Sequence, residues 1–401
     1  MQKSNEIRIN YMNPVLIGII MLLLGMTFSI TQFKVVMNMG QIVESVNMSE
    51  HLWHWLMSLF TVFGIFLAIP SGTLVQKFGS KNILLFSAIV LIIGTIIGAF
   101  ATDGTTLLVS RAIEGIGYAF MIVAAPAMVA TYTNPSKVGI SMGIFVCWVA
   151  VGQIVAFNLT PVLLNAMQGN WQNIWFFYAF AILIFTIIVK LFVNAPVPAV
   201  SIEKPDSVDE KKPSLLDVLK NKHLIFAAIA YCGFNSLVLG LLTYMTSVAQ
   251  GAGMNETQAA FASSIPMIGC LISSPIFGKI SLRAGCKKPY IFGLAFSGIG
   301  YILAFSSSIP MIYVGVIVFG LLGLGVPGMA FSSVPDLVKN PKLVGMGTGI
   351  IVTFQALGMF LGSTFFPSFV SFGGSDFMGA VFYATPIALI SILCILMAKF
   401  R

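Results

Sequence analysis

Gly72-Thr73-Leu74-Val75-Gln76-Lys77-Phe78-Gly79-Ser80-Lys81 has a second version in the same chain, Gly278-Lys279-Ile280-Ser281-Leu282-Arg283-Ala284-Gly285-Cys286-Lys287-Lys288. At an offset of 206 residues, Gly72, Lys77, Gly79, Lys81 and Phe86 match Gly278, Arg283, Gly285, Lys287 and Phe292. The same offset pairs Asn134, Pro135, Val138, Gly139, Gly143, Ile144 and Val146 with Asn340, Pro341, Val344, Gly345, Gly349, Ile350 and Val352. It then pairs Gly152 and Pro161 with Gly358 and Pro367. Chance identities are common between apolar helices, because their alphabet is small. A loop, its glycines and a second loop sharing one offset are not chance, and the chain reads as a duplication.

Composition says what was duplicated. Of 401 residues 58% are hydrophobic and only 8% charged, against about 25% charged in a soluble domain. That excludes both a soluble enzyme and a disordered chain. Runs of about 20 apolar residues, each enough to cross a bilayer, fall near 14–39, 53–75, 82–100, 106–131, 139–165 and 172–193. Six more fall near 222–249, 257–280, 289–307, 310–334, 343–371 and 377–398. The expected fold is therefore an all-α membrane protein of 12 transmembrane helices in two six-helix halves. The halves are residues 1–193 and 223–401, and the stretch 194–222, rich in charge and proline, is a solvated linker. An even number of helices per half makes the repeats parallel, related by an axis along the membrane normal.

The net charge of +8 raises the question of nucleic acid, which the distribution answers in the negative. Nineteen of the 21 basic residues lie in the termini, the linker and the loops of one side, and the opposite loops carry only Glu44, Glu50, Asp103, Glu256 and Asp376. By the excess of Lys and Arg, both termini are expected in the cytoplasm of a multi-pass protein of the cell membrane. The two basic residues left over, Lys34 and Arg111, fall inside spans. Five scattered cysteines read as small buried hydrophobes.

The loop at Gly72–Lys81 resembles the signature of the major facilitator superfamily, G-x-L-x-D-R-x-G-x-[RK], with Gln76, and Leu282 in the copy, where the family carries Asp. Glycines there permit a tight reversal, and the basic residues can meet helix C-terminal carbonyls or acids of the facing half. Leu107-x-x-x-Arg111-x-x-Glu114-Gly115-x-Gly117 is similar to the family's fourth-helix motif. The resemblance implies alternating access around a midplane site, with the two loops (Gly72, Lys77, Gly79, Lys81; Gly278, Arg283, Gly285, Lys287) as gate elements. It implies that Arg111 and Glu114 couple protons to transport. Three residues apart, the two share a helix face, so a purely structural ion pair is the competing reading.

Lys34 has three readings: counter-ion for an anionic substrate, snorkelling to the outer headgroups, or pairing to Glu114. A few residues around it are similar to the first helix of the cyanate and nitroimidazole porters. Gln32, Asn38, Tyr118, Gln153, Asn158, Tyr231, Asn235, Tyr244 and Gln355 sit on helices that the family fold places around the cavity. Each alone is more often an interhelical hydrogen bond than a ligand. Trp53 and Trp55 read as interfacial aromatics. The family's antiporter motif on helix five, G-x-x-x-G-P-x-x-G-G, is absent.

Nothing carries enzyme chemistry, a cofactor or a metal site, and nothing resembles a channel's filter. The expectation is a monomeric secondary transporter in a lipid bilayer. It moves a small-molecule substrate, a small organic or inorganic anion, with protons as the coupling ion. Proton-driven efflux of amphiphilic compounds is the alternative.

Overall fold

The computed structural model describes residues 11–53, 55–134, 137–194, 218–338 and 344–400. Residues 195–217, most of the expected linker, lie outside the described residues. Twelve helical spans follow. They are α1 (Pro14–Phe33), α2 (Trp55–Phe78), α3 (Ser80–Ala99), α4 (Gly104–Tyr132), α5 (Trp148–Ala166, led by Val138–Phe145) and α6 (Trp171–Phe192). The second six are α7 (Lys222–Gly251), α8 (Glu256–Ala284), α9 (Lys287–Ala304), α10 (from Ile309–Val318 to Val326–Ser332), α11 (Val344–Gly373) and α12 (Asp376–Met397). Ten spans are long and apolar enough to cross a membrane; α2 and α9, which opens on two lysines, complete the set. Phe66, Phe180 and Phe372 are 69%, 62% and 77% exposed, an outer face that only lipid makes tolerable.

Helix starts are capped as the sequence allows. Asn13 accepts from the Val15 amide at 2.9 Å, Asp103 from Thr106 at 2.9 Å, and Asn255 forms a capping box with Gln258. Three apolar runs are less regular than expected. The first stops at Phe33 and resumes as Met39–Ser45, the fifth breaks at Val146–Cys147, and the tenth contains a π turn at Phe319–Gly323.

The halves repeat in their packing. Helix α3 packs on α4 and α6, α2 on α4, and α1 on α5 and α6; their counterparts α9 on α10 and α12, α8 on α10, and α7 on α11 and α12 do the same. A Cβ on Gly152 would sit 2.7 Å from the Met26 carbonyl oxygen, and one on Gly358 would collide with that of Cys232. Met26 and Cys232 are again 206 apart. Gly79 and Gly285 take φ of +83° and +71°, the left-handed turn for which the duplicated loop keeps glycine.

We call the two ends of the bundle basic and acidic after their loops. At the acidic end the halves are closed. Ser58 of α2 lies 3.0 Å from Ser363 and 2.6 Å from Thr364 of α11, and Asn158 of α5 donates to Ser264 of α8 at 2.7 Å. Trp53 stands edge-on to Tyr244, and Trp55 lies 5.9 Å from Phe360. The two tryptophans thus face the other half, a use of aromatic area that the belt reading did not foresee. At the basic end Gly72, Gly143, Gly278 and Gly349 have no described neighbour near the place of a Cβ. The buried apolar residues agree. One cluster joins the C-terminal half to the acidic end of the N-terminal half, and a second fills the basic end of the N-terminal half alone.

Gly152→Ala and Gly358→Ala are each expected to cost about 1–3 kcal/mol through overpacking, read as a lower Tm in detergent. Gly143→Ala and Gly349→Ala, with room for the methyl, should hold or raise the Tm.

Candidate functional site

The break in the first helix builds the site. The last regular amide bond of α1 runs from Lys34 N to the Ile30 carbonyl at 2.8 Å. Beyond it the chain turns, and the carbonyls of Thr31 and Gln32 lose their helical partners. Buried carbonyls must be satisfied, and here an arginine from α4 does it. Arg111 donates to the Thr31 oxygen at 2.9 Å, to the Gln32 oxygen at 3.0 Å and, through Nε, to the Leu56 oxygen of α2 at 2.8 Å. A guanidinium at a helix C-terminus also meets the negative end of the helix dipole.

The turn after Phe33 carries Lys34 inward. Its ammonium lies 2.7 Å from Glu114, whose other oxygen lies 2.5 Å from Arg111; all three side chains are fully buried. Thr95 of α3 donates to Glu114 at 2.8 Å. The ammonium also sits 3.5 Å above the Trp175 ring of α6, and the Arg111 guanidinium lies 4.6 Å from the Phe60 ring. Five helices therefore meet around one carboxylate shared by two cations. Burying such charges is tolerable only when each is paired and hydrogen-bonded.

The spacing of Arg111 and Glu114 gave their shared face, and the structure adds Lys34 through the third of its readings. It is not a lone counter-ion in this conformation, nor does it snorkel, because Glu114 lies within its reach. Sequence reasoning missed Thr95 and Trp175. A signal was present in Gly94 and Gly98, spaced for close helix approach. A Cβ on Gly94 would sit 2.8 Å from the Glu114 backbone nitrogen, and one on Gly98 would collide with the Trp175 ring.

Among the described residues the C-terminal half has no such cluster. At the 206 offset Lys34, Thr95, Arg111 and Glu114 become Gly240, Tyr301, Ile317 and Gly320. Gly240 and Tyr301 do meet: a Cβ on Gly240 would lie 2.8 Å from the Tyr301 hydroxyl oxygen. A phenol ring fills there what the charges fill here, so the fold itself does not require them.

The remaining expected residues divide. The side-chain Nε2 of Gln32, both amide atoms of Asn38 and Oε1 of Gln153 are buried without a partner among the described residues. Gln153 lies between Val149, whose carbonyl accepts from Ser29, and Phe157, which stands edge-on to Phe33. That puts it one helix turn from the break. Tyr118 packs between Phe60 and Trp148, at 5.0 and 6.2 Å. Asn158 and Tyr244 are engaged in the closed end, Tyr244 donating to the Ser363 carbonyl at 2.5 Å. Asn235 donates to the Tyr231 carbonyl at 2.8 Å, Tyr231 stacks on Phe234, and Gln355 is half-buried on α11.

Of the loop residues, Lys81 donates to the carbonyls of Lys190 and Val193 at 3.0 and 2.6 Å, closing the end of α6. Lys287 does the same for α12 through Leu396 and Ala398, both at 2.9 Å. Each thus binds within its own half. Lys77 extends over the Phe78 ring at 5.2 Å, and Arg283 lies in the last turn of α8.

Among the described residues twelve spans form two repeated halves, with a charged cluster buried in the first, an architecture suited to a membrane transporter. The sequence profile of the Major Facilitator Superfamily matches residues 16–260 and 243–401, and the chain belongs to that family. It is accordingly a transporter and not an enzyme. It is 25% identical to the sialic acid transporter NanX of Escherichia coli over 72% of this chain and 70% of that one. It is 28% identical to the multidrug resistance protein MdtG of Proteus mirabilis over 64% of each. Its fold matches, at a TM-score of 0.72 and 15% identity, a bacterial homologue of the human lysosomal transporter Spinster solved in an inward-facing, unoccupied conformation, covering 96% of this chain and 94% of that one.

Glu114→Ala leaves two buried cations unpaired and is expected to cost about 3–5 kcal/mol. Lys34→Met keeps the Arg111–Glu114 pair and should cost less, an order that thermal unfolding in detergent reads directly.

Proposed function

We propose that this protein is a proton-coupled transporter of a small anion and that the cluster at the helix break is its coupling centre. One observation carries the reading: two buried cations share a single carboxylate, so the interior of the N-terminal half holds one positive charge more than it balances. No charged residue of the facing half lies in mid-span to offset it. Uncompensated positive charge at bilayer depth is costly, and it favours an anion over a cation as the ligand of this half. The likeness to a sialic acid transporter supports the same class, since that substrate carries a carboxylate.

The mechanism follows from exchange of counter-ions. With Glu114 ionised, Lys34 is engaged and unavailable. A proton on Glu114 breaks its hold on the ammonium and leaves Arg111 on the helix break. Lys34 then offers its charge to an anion, and the unpartnered amides of Gln32, Asn38 and Gln153 supply hydrogen bonds to its body. Proton and anion thus enter together. Residues 1–193 and 223–401 rock as units about this level, joined by 194–222. The contacts of Ser58, Asn158 and Trp53 part as the loops at Gly72–Lys81 and Gly278–Lys288 close. The basic end faces the cytoplasm, so the described conformation is open inward.

Uptake into proteoliposomes tests the reading, with radiolabelled sialic acid and nitrate as probes. Accumulation should rise as the pH on the loading side falls, collapse with the proton gradient, vanish in Lys34→Ala and survive in part in Lys34→Arg. Uptake in Lys34→Ala equal to wild type contradicts the anion role. Extrusion of a cationic dye unaffected by Lys34→Ala establishes the export reading instead. In a cysteine-free background, a cysteine at Lys220 should react with an impermeant maleimide only after the membrane is opened.

A further inference from the structure

Trp175 is fully buried and holds the Lys34 ammonium 3.5 Å above its ring, yet its indole N–H has no partner among the described residues. An unpaired buried donor costs about 1–3 kcal/mol. The ring is placed for its face, then, and not for its hydrogen bond. Its setting is specific. Gly98 of α3 leaves the slot that it fills, and Trp171, anchored by its own N–H to Ser45 at 2.9 Å, stands edge-on 5.4 Å away.

The duplicated half supplies a control. At the 206 offset Lys34, Trp175 and Gly98 become Gly240, Val381 and Ala304. Where the lysine is missing, the indole and its slot are missing too. Helix packing at this level does not need the tryptophan; the ammonium does. The charged groups around that ammonium are Glu114 and Arg111 of α4. Thr95 of α3 bonds the same carboxylate, and the hydroxyl of Tyr178 on α6 is occupied by Thr160 at 2.8 Å. Helices α2, α3, α5 and α6 bring no other charge to it in mid-span.

We propose that Trp175 is the positioning residue of Lys34: its indole face retains the ammonium inside the N-terminal half and so sets how readily that charge passes from Glu114 to a bound anion. This rests on the counter-ion exchange proposed above. A desolvated contact between a cation and an indole face is a substantial restraint. Glu114 protonation must overcome it before the lysine is free.

The experiment measures sialic acid and nitrate uptake against pH in wild type, Trp175→Leu, Trp175→Phe and Glu114→Gln. Trp175→Leu should lower KM by about tenfold and move the pH of half-maximal uptake upward, because less protonation suffices to release the lysine. Trp175→Phe, which keeps a weaker aromatic face, should fall between the two, and it is the deciding variant if the leucine protein does not fold. A merely structural tryptophan would lower kcat and leave KM and the pH midpoint in place. Unmoved KM and midpoint in both tryptophan variants, beside a flattened profile in Glu114→Gln, overturn this proposal alone. An unaltered profile in Glu114→Gln overturns the exchange beneath it as well.

Discussion

Glu114 is held between two cations where the first helix comes apart, and much of the N-terminal half is arranged to permit that. Arg111 satisfies the carbonyls that the break exposes, so the break and the arginine are one structure. The break turns Lys34 toward α4, Gly94 lets α3 approach the carboxylate, and Gly98 admits the tryptophan beneath the ammonium. Remove the carboxylate and two positive charges face each other in a medium that screens them poorly. An arrangement so dependent on one proton-binding group is suited to answer a proton.

The repeated half shows what is scaffold and what is chemistry. Glycine seats, loop turns and the lysines that close α6 and α12 recur at one offset, down to the carbonyls of Lys190 and Leu396. The charges do not recur. Gly240 and Tyr301 occupy the equivalent place without charge, in a half that packs in the same way. A duplicated protein has two copies of its architecture, and this one carries its charged centre once, inside the N-terminal half.

Much of this could be read in the chain. Apolar runs and basic loops gave twelve spans and two halves, since both signals are local and additive along the sequence. The pairing of Arg111 with Glu114 followed from helical spacing. The pairing of Lys34 with Glu114, 80 residues away, did not, because three placements were open and only tertiary contact selects one. Nor did the break after Phe33, where apolar residues resume at Val35–Met37 beyond Lys34 and the freed carbonyls are met by an arginine of another helix. Trp175 read as one more apolar residue of a span. The loop lysines were expected to meet helix C-terminal carbonyls or acids of the facing half; Lys81 and Lys287 take the carbonyls, on helices whose ends lie more than 100 residues downstream, a choice only tertiary contact makes.

The closed acidic end, the open basic end and the cluster between them belong to one cycle only if anion binding changes the protonation of Glu114. Proton uptake on anion binding measures that change. It can be followed with an indicator dye in weakly buffered detergent solution as sialic acid or nitrate is added. The account predicts about one proton taken up per anion bound by the wild-type protein and none by Glu114→Gln. Anion binding without proton uptake in the wild type, or equal uptake in Glu114→Gln, would contradict it.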